Sequence, residues 1–311
     1  MRVAIVGGGL IGRKRAQALD ARDELVGTYD IDPERSTCAS VDALLALAPE
    51  VVIVATTHDA LAEHAIAALE AGAHVLVEKP AGTSRAQVEA IAAAARRAGR
   101  RVKVGFNHRF HPGIARAVEE ARSGAHGEII GLRARYGHGG RLGYEREWRA
   151  DPARSGGGEL IDQGMHLLDL SHWLLGALPV HSALLRTAYW EMPVEDNAVL
   201  LLGERDRGPF AALHVSWTEW KNLFSLEIAC RTAKLQVDGL VRSYGAQRLT
   251  RYLMRPELGP PDVEVIDYPD EDGSWAAEWA HFKAALDEPI SLLGDLESAA
   301  YAWSCVEAAY A

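Results

Sequence analysis

The chain has 311 residues, of which 48% are hydrophobic and 24% charged, and its formal net charge is −10 at pH 7. This length favours two domains, and this ordinary globular composition argues against a disordered protein or a coiled coil. The acidic charge is spread over both halves with no concentrated basic face. We therefore expect no nucleic-acid partner and no anionic membrane partner, because binding to phosphates needs such a face.

Other bulk features bear on where the protein works. Cys38, Cys230 and Cys305 are widely separated and form no CxxC pair, which indicates neither a disulfide framework nor a zinc site. The first residues already have the pattern of a buried strand, so we expect no signal peptide. No apolar run approaches the ~20 residues needed to span a bilayer, and we expect a cytoplasmic protein. The basic cluster from Arg96 to Lys103 follows an alanine-rich stretch and is interpreted as a solvated helix end.

The first hundred residues alternate between short β-rich runs and amphipathic, alanine-rich stretches such as Asp59–Ala71 and Arg85–Ala98. Near-continuous apolar strands between helices predict a parallel sheet covered on both faces. Right-handed crossovers make this a doubly wound, Rossmann-type α/β domain, which we place at residues 1–107. The predicted strands are Val3–Val6, Leu25–Tyr29, Val51–Ala55, Val75–Val77 and Val102–Phe106.

Residues 108–311 follow a different pattern, which predicts an α+β domain with a large, mostly antiparallel open sheet. An open sheet face often becomes an oligomer interface, so we expect a homodimer or homotetramer. The last helix is a candidate to pack back on the first domain. The predicted elements are helix 113–123, strand 129–136, a glycine- and arginine-rich loop at 137–158, helix 159–175, strand-like runs from 180 to 266, and helices 274–286 and 295–310.

A glycine motif follows the first predicted strand. Gly7, Gly9 and Gly12 fit the pattern G-x-G-x-x-G, with Leu10 and Ile11 between the last two. The first glycine permits a tight turn, the second lets the backbone approach a pyrophosphate, and the third allows close packing of helix on strand. The helix N-terminus then offers unpaired N–H groups to the phosphates. These five residues are therefore predicted to bind a dinucleotide.

Asp30 ends the second predicted strand, where a dinucleotide-binding domain places an acid on the adenosine ribose. A carboxylate there accepts hydrogen bonds from the ribose hydroxyls and repels a 2′-phosphate, which favours NAD over NADP. Arg13, Lys14, Arg15 and Arg35 lie nearby in the sequence and keep NADP open as a second cofactor.

Oxidation of a secondary alcohol needs a base for the hydroxyl proton while hydride leaves the same carbon. Asp162 and His166 are four residues apart in the predicted helix, which places them on one face. Histidine titrates near neutrality and is a suitable base. Lys79 follows a parallel strand, at the end where open α/β sheets bind ligands, and is suited to stabilising a developing alkoxide. The alternative is a metal held by Asp162, His166 and Asp169, but no fourth ligand is evident and no metal is expected.

Three separated motifs together resemble a known family. They are the glycine loop, Glu78-Lys79-Pro80 preceded by Glu70-Ala71-Gly72, and the segment from Gly156 to His166. Their order and separation resemble those of the glucose-fructose oxidoreductase / inositol dehydrogenase / rhizopine-catabolism (Gfo/Idh/MocA) family of NAD(P)-dependent sugar and cyclitol dehydrogenases. The resemblance extends over nearly the whole chain.

The resemblance implies roles for individual residues. It implies Lys79, Asp162 and His166 as the catalytic set, and cofactor contacts at Thr56, His58, Glu78 and Lys79. The chain departs from the family pattern at Thr57-His58, where proline–asparagine is common, and at Leu61, where histidine is frequent. Both departures lie near the expected cofactor pocket.

Substrate contacts are predicted around the same motifs. Besides Lys79, Asp162 and His166, these comprise Asn107 and Arg109, by resemblance of residues 105–110 to the family's segment facing the cleft, and three residues of the loop 143–149. Tyr144 and Trp148 are of the type that stacks on sugars, and Arg149 of the type that holds a carboxylate or phosphate. The alternative for this loop is a surface arginine and a packed tryptophan. Glu159 and Gln163 are open between substrate contact and helix capping.

These features predict an NAD(P)-dependent oxidoreductase that transfers hydride between nicotinamide and a secondary hydroxyl of a sugar, sugar nucleotide or cyclitol. The loop 144–149 looks like that of members associated with surface-polysaccharide or sugar-nucleotide biosynthesis, which favours a sugar nucleotide oxidised at C3. Two alternatives stay open. One is an enzyme that retains NAD and uses transient sugar oxidation for glycoside cleavage; the other is a non-enzymatic sugar- or NAD-binding regulator of the same fold.

Overall fold

The computed structural model describes residues 1–269 and 271–311 and divides into two compact units. Unit 1 comprises Met1–Asn107, Ala153–Gly156 and Trp275–Trp303. Unit 2 comprises His108–Pro152, Gly157–Ser274 and Ser304–Ala311. In the part of the chain that is described, no helix is both long and apolar enough to cross a bilayer.

Five parallel strands form the sheet of unit 1 within its described residues, in the order β2-β1-β3-β4-β5. Each central strand is a short, valine-rich apolar run in which every residue after the first is buried. The predicted Rossmann-type fold is thereby confirmed. The strands are β1 Arg2–Val6, β2 Glu24–Tyr29, β3 Val51–Val54, β4 His74–Val77 and β5 Val102–Val104. The first helices are α1 Leu10–Gln17, α2 Val41–Leu45, α3 His58–Glu70 and α4 Arg85–Ala98.

The core of unit 1 includes residues from near the end of the chain. Trp279 and Phe282 pack on Val3, Ile53 and their buried neighbours in the sheet. Both aromatic side chains belong to helix α8, Ser274–Asp287, which is followed by α9, Leu296–Tyr310. The segment 275–303 therefore supplies part of the apolar cover that a parallel sheet needs.

Eight strands form the sheet of unit 2 within the described residues, in the order β13-β12-β11-β10-β6-β9-β8-β7. The pairs are antiparallel except that of β6 with β9. This confirms the predicted mostly antiparallel sheet. The elements between residues 108 and 267 are α5 Pro112–Arg122, β6 Ile129–Gly137, α6 Pro152–Ser155, α7 Met165–Leu175, β7 Val180–Arg186, β8 Asn197–Leu202, β9 Phe210–Ser216, β10 Leu223–Cys230, β11 Ala233–Asp238, β12 Arg248–Leu253 and β13 Asp262–Asp267.

The side chains of this sheet alternate between a buried and an open face. In β8, Leu200 and Leu202 are buried, whereas Val199 and Leu201 are 39% and 43% exposed in the single chain. Period-two alternation is what a sheet covered on one face requires. The buried face packs partly on α5, whose apolar residues face β11, β10 and β12.

The helix predicted at 159–175 is wrong over its first turn. Leu160–Gly164 form a π-helical turn, and regular α-helix begins at Met165. A π turn is wider than an α turn, so the argument that Asp162 and His166 share a face by α-helical spacing does not apply there. Such widened turns are frequent at functional sites.

Four buried charged side chains are connected in unit 1. The Arg15 guanidinium lies 2.6 Å from Glu78 Oε1 and 2.6 Å from Glu278 Oε2, and the Lys103 ammonium lies 2.9 Å from Glu278 Oε1. Arg15 is 1% exposed, and Lys103 and Glu278 are fully buried. Burial raises the pKa of Glu78, whereas for Glu278 the effect of burial is outweighed by Lys103 and Arg15, which lower its pKa.

This network corrects the interpretation of the basic cluster as a solvated helix end. Helix α4 does end at Ala98, with Gly99 in the left-handed conformation and Arg96 and Arg97 in its last turn. Lys103, however, lies in β5 and donates to the carbonyl oxygens of Val104 and Leu293 at 2.9 and 2.5 Å. Its burial depends on the carboxylate of Glu278, a residue far along the chain.

We expect Glu278→Ala to lower the free energy of unfolding by about 3–5 kcal/mol, because it leaves two buried cations without a shared carboxylate. The measurement is urea unfolding followed by circular dichroism. Glu63→Ala is the matched control, since Glu63 is an exposed glutamate on helix α3 of the same unit. A loss no larger than that of the control would contradict a stabilising role for the network.

Candidate functional site

The glycine loop of unit 1 leaves no room for side chains at its first and third glycines. A Cβ on Gly7 would lie 2.4 Å from the carbonyl oxygen of Ala55, and one on Gly12 would lie 1.8 Å from the carbonyl oxygen of Gly7. Gly9 differs, because nothing lies within 4 Å of its Cβ position. Gly9 is the N-cap of α1, which begins at Leu10. Space therefore remains at the point where the motif predicts a pyrophosphate.

Asp30 faces this loop. Its Oδ2 accepts the Gly8 N–H at 2.6 Å and its Oδ1 accepts the Asp32 N–H at 2.9 Å. The carboxylate is thus fixed beside the glycines, as required of an acid that binds an adenosine ribose. Of the nearby cations, Arg15 is held in the buried network, and Arg35 pairs with Asp32 at 3.0 Å.

The segment carrying Lys79 is held from both sides. The Glu78 carboxylate accepts from Arg15, so this predicted cofactor residue is engaged in the buried network. After the cis Lys79–Pro80 bond, the Pro80 carbonyl oxygen accepts the Trp303 indole N–H at 2.9 Å. Ala81 then adopts a left-handed conformation with φ of 65°. Lys79 itself is half-buried.

Thr56 lies two residues before helix α3, and His58 is the first residue of that helix. The Thr56 hydroxyl donates to the Thr57 carbonyl oxygen at 3.1 Å. His58 is 5% exposed, and its Nδ1 lies 2.8 Å from the carbonyl oxygen of Ser155, a residue of the short segment 153–156 that belongs to unit 1. The departure from the family pattern at His58 thus coincides with a contact to that segment. Leu61 is fully buried in the core.

In unit 2, the turn 160–164 and helix α7 carry the predicted acid and base. Arg149 Nε lies 3.1 Å from Asp162 Oδ2. Although burial acts to lower it, the Asp162 carboxylate raises the pKa of Arg149. The Arg149 guanidinium also lies 4.6 Å from the centroid of the Trp148 ring. The structure therefore brings three of the predicted substrate residues together.

His166 lies against a second imidazole. Its ring stacks on that of His108 with centroids 3.8 Å apart, and the Tyr136 ring lies 6.3 Å from it. His166 is 7% exposed. The stacking on His108 fixes the plane of the buried His166 ring.

Two other predicted substrate residues are engaged by buried partners. Arg109 donates from Nε and Nη2 to the two oxygens of Asp169, at 2.8 and 2.6 Å. Tyr144 is 1% exposed and packs edge-on against Trp217 and Trp190, so no face of its ring is open to a sugar. Burial raises the pKa of Tyr144. Asn107, the last residue of the first segment of unit 1, is 5% exposed.

The metal alternative is weakened by the same contacts, because Asp169 is committed to Arg109. Over residues 1–269 and 271–311, no group of three or more His, Cys, Asp and Glu side chains could hold a metal ion. Asp162 contacts Arg149, and His166 stacks on His108.

Two tyrosines that no sequence motif indicates, Tyr136 and Tyr244, lie beside this cluster. Gln163 Nε2 donates to the Tyr244 hydroxyl at 2.9 Å, and the rings of Tyr244 and Tyr136 are 5.4 Å apart. Burial raises the pKa of Tyr136, and it raises the pKa of Tyr244 to about 12. Tyr244 follows Val241 and Arg242, whose φ angles of 65° and 52° are rare for residues with side chains. Nothing in the local sequence signals that backbone conformation.

Comparison with known proteins identifies the class. Residues 1–106 match the model of an oxidoreductase family with an NAD-binding Rossmann fold, and residues 114–236 match the GFO/IDH/MocA C-terminal domain. Together with the glycine loop and Asp30, these matches define an NAD-binding Rossmann domain followed by a family-specific sheet domain. The chain belongs to the GFO/IDH/MocA oxidoreductase family, which confirms the resemblance found in its motifs.

Individual relatives are more distant. The chain is 31% identical over 207 residues to D-glucoside 3-dehydrogenase of Escherichia coli, covering 58% of this chain and 56% of that protein. It is 33% identical over 192 residues to UDP-N-acetylglucosamine 3-dehydrogenase of Acidithiobacillus ferrooxidans, again covering 58% and 56%. The matches thus span little more than half the length of these relatives. The crystal structure of GenD2 from gentamicin A biosynthesis in complex with NAD is 26% identical, with a TM-score of 0.82, and covers 100% of this chain and 93% of that one.

The geometry at Gly9 and Gly12 predicts different effects of a methyl group. Gly12→Ala should lower both the unfolding midpoint and NAD affinity, since its Cβ overlaps the Gly7 carbonyl oxygen. Gly9→Ala should leave the midpoint unchanged but weaken NAD binding at least about tenfold, because the methyl occupies space that the pyrophosphate approaches. Thermal unfolding and NAD titration by calorimetry measure the two effects. Unchanged NAD affinity in Gly9→Ala would contradict the predicted site.

Proposed function

We propose that this protein transfers hydride between NAD and a secondary hydroxyl of a sugar, sugar nucleotide or cyclitol. The observation that carries the proposal is the cluster on the segment 160–166, where Asp162 pairs with Arg149 and His166 stacks on His108. It supports the proposal because alcohol oxidation needs an acid–base pair beside polar groups that orient the substrate. The reaction also needs a hydride acceptor, which the NAD-binding family domain would hold.

In the proposed reaction, His166 accepts the hydroxyl proton, and its ring is already fixed by stacking. Asp162 orients the substrate hydroxyl and stabilises the imidazolium formed as His166 takes the proton. Lys79 donates to the substrate oxygen, where it favours the developing alkoxide. When bound, NAD accepts the hydride. The Arg149 guanidinium, 3.1 Å from Asp162 Oδ2, offsets the negative charge of that carboxylate.

A sugar nucleotide oxidised at C3 is the proposed substrate class. Two relatives named above are 3-dehydrogenases, one of a D-glucoside and one of UDP-N-acetylglucosamine. Arg149 and Trp148 suit such a substrate, since a guanidinium binds phosphate oxygens and an indole ring stacks on a sugar or base. We further propose that the open face of the sheet in unit 2 joins copies of the chain into a homo-oligomer.

We expect Lys79→Met and His166→Ala each to lower kcat by about 10²–10⁴-fold, the usual contribution of a general base or a charge-stabilising group. NAD affinity should remain within about twofold in His166→Ala. NADH formation is followed by absorbance with free sugars, inositols and UDP- or GDP-linked sugars. Lys234→Met is the control, since Lys234 lies on β11 with its ammonium over the Tyr252 ring.

Full turnover in either catalytic variant would contradict the mechanism. NAD binding without net NADH formation on any substrate would favour the transient-oxidation alternative when NAD remains bound through purification, and the regulator when it does not.

The position of Asp30 predicts the cofactor preference. Asp30→Ala should reduce the ratio of kcat/KM for NAD over NADP by at least about tenfold, because it removes a carboxylate that repels the 2′-phosphate. The variant is assayed with both cofactors at one ionic strength, and Glu63→Ala, which removes an exposed carboxylate on α3 of the same unit, is the control. An unchanged ratio would assign the discrimination to other residues.

A further inference from the structure

The start of the helical segment with Asp162 and His166 is bound by one carboxylate. Glu195 Oε1 accepts the Leu160 N–H at 3.0 Å, and Oε2 accepts the Gly158 N–H at 3.2 Å. The Glu195 backbone carbonyl oxygen accepts the Glu159 N–H at 3.0 Å. Glu195 thus satisfies three successive N–H groups that a helix start leaves unpaired.

Tyr310 completes the arrangement. Its hydroxyl donates to Glu195 Oε1 at 2.9 Å. The Tyr310 hydroxyl oxygen also accepts the Gly158 N–H at 3.3 Å. Glu195 is 8% exposed. Burial raises its pKa, opposed by the hydrogen bonds from Leu160, Tyr310 and Gly158. We call Glu195 and Tyr310 the clamp.

The clamp explains why glycines precede the helix. A Cβ on Gly157 would lie 2.2 Å from the Tyr310 hydroxyl oxygen, and one on Gly158 would lie 2.1 Å from the Glu195 carbonyl oxygen. Only residues without a side chain allow the two clamp residues to approach this closely. The glycines and the clamp therefore form one structural feature.

The clamp lies directly before an unusual helical turn. Leu160–Gly164 are π-helical, a conformation that is rarely stable without support from surrounding structure. Asp162 lies in this turn, and His166 is the second residue of the α-helix that follows it. A displacement of about 1 Å at a reacting group is enough to lower a rate about 10²-fold.

We infer that Glu195 and Tyr310 are positioning residues for the proposed reaction, which hold the turn 158–164 and, through it, Asp162 and His166. The inference rests on the proposed function, because it concerns the placement of that acid–base pair. Neither clamp residue is assigned a contact with substrate or cofactor.

The test removes one hydroxyl group. In Tyr310→Phe we expect kcat to fall about tenfold, while KM for NAD and the NAD dissociation constant remain within about twofold, because the nucleotide is bound by unit 1. Amide hydrogen exchange, measured by mass spectrometry without substrate, should become faster in peptides that include 158–164. Tyr252→Phe is the matched control, since Phe preserves the ring that contacts Lys234. Glu195→Gln, which keeps one acceptor oxygen, should retain more activity than Glu195→Ala.

The possible results separate the two proposals. Faster exchange in Tyr310→Phe with kcat equal to that of the control would overturn the inference. Unchanged amide exchange in this variant would also overturn it. Both results would leave the proposed function intact. Equal activity of Glu195→Gln and Glu195→Ala would likewise overturn the role of its acceptor oxygens. Wild-type protein that oxidises no compound of the panel would overturn the proposed function and, with it, this inference.

Discussion

Two of the places where the backbone approaches another part of its own unit too closely for a Cβ atom shape the segments tied to the proposed chemistry. In unit 1 the contact is between Gly12 and the Gly7 carbonyl group; in unit 2 it is between Gly158 and Glu195. The first contact shapes the predicted dinucleotide loop, and the second shapes the start of the segment with Asp162 and His166. Because close backbone approach requires glycine, the parts of the molecule most closely tied to its proposed chemistry are also the parts most visible in its sequence.

The fold was predictable because the central strands of unit 1 are short apolar runs buried on both faces, and because alternation marks the sheet of unit 2. Helix α4 was predicted at its observed bounds, Arg85–Ala98, since Ser84 caps its first turn and Gly99 ends it. The widened turn at Leu160–Gly164 was not predictable, because its conformation depends on contacts to Glu195, outside the segment. The interpretation of Lys103 as part of a solvated helix end was wrong for a similar reason, since its partner Glu278 is remote in sequence.

The site was predictable only where chemistry is encoded in short motifs. Asp162, His166 and Arg149 were singled out from local patterns, and the structure places Arg149 on Asp162. Tyr136, Tyr244 and Tyr310 carry no local signal, because each reaches the segment 158–166 through sheet pairing or through a helix far along the chain. Tyr144 and Arg109 show the converse: their residue types suggested ligand contacts, but buried partners engage both side chains.

The position of β6 has a consequence for how the protein folds. This strand pairs with β9 on one side, beginning at Gly131 with Phe210, and with β10 on the other, where Leu132 faces Ile228. Both partners are synthesised long after β6 itself, so a ribosome must add most of unit 2 before this strand has a neighbour. Non-local pairing of this kind slows folding, and it leaves strand edges exposed in the meantime, when aggregation competes. Chaperones that cover exposed strand edges are therefore expected to assist the maturation of unit 2.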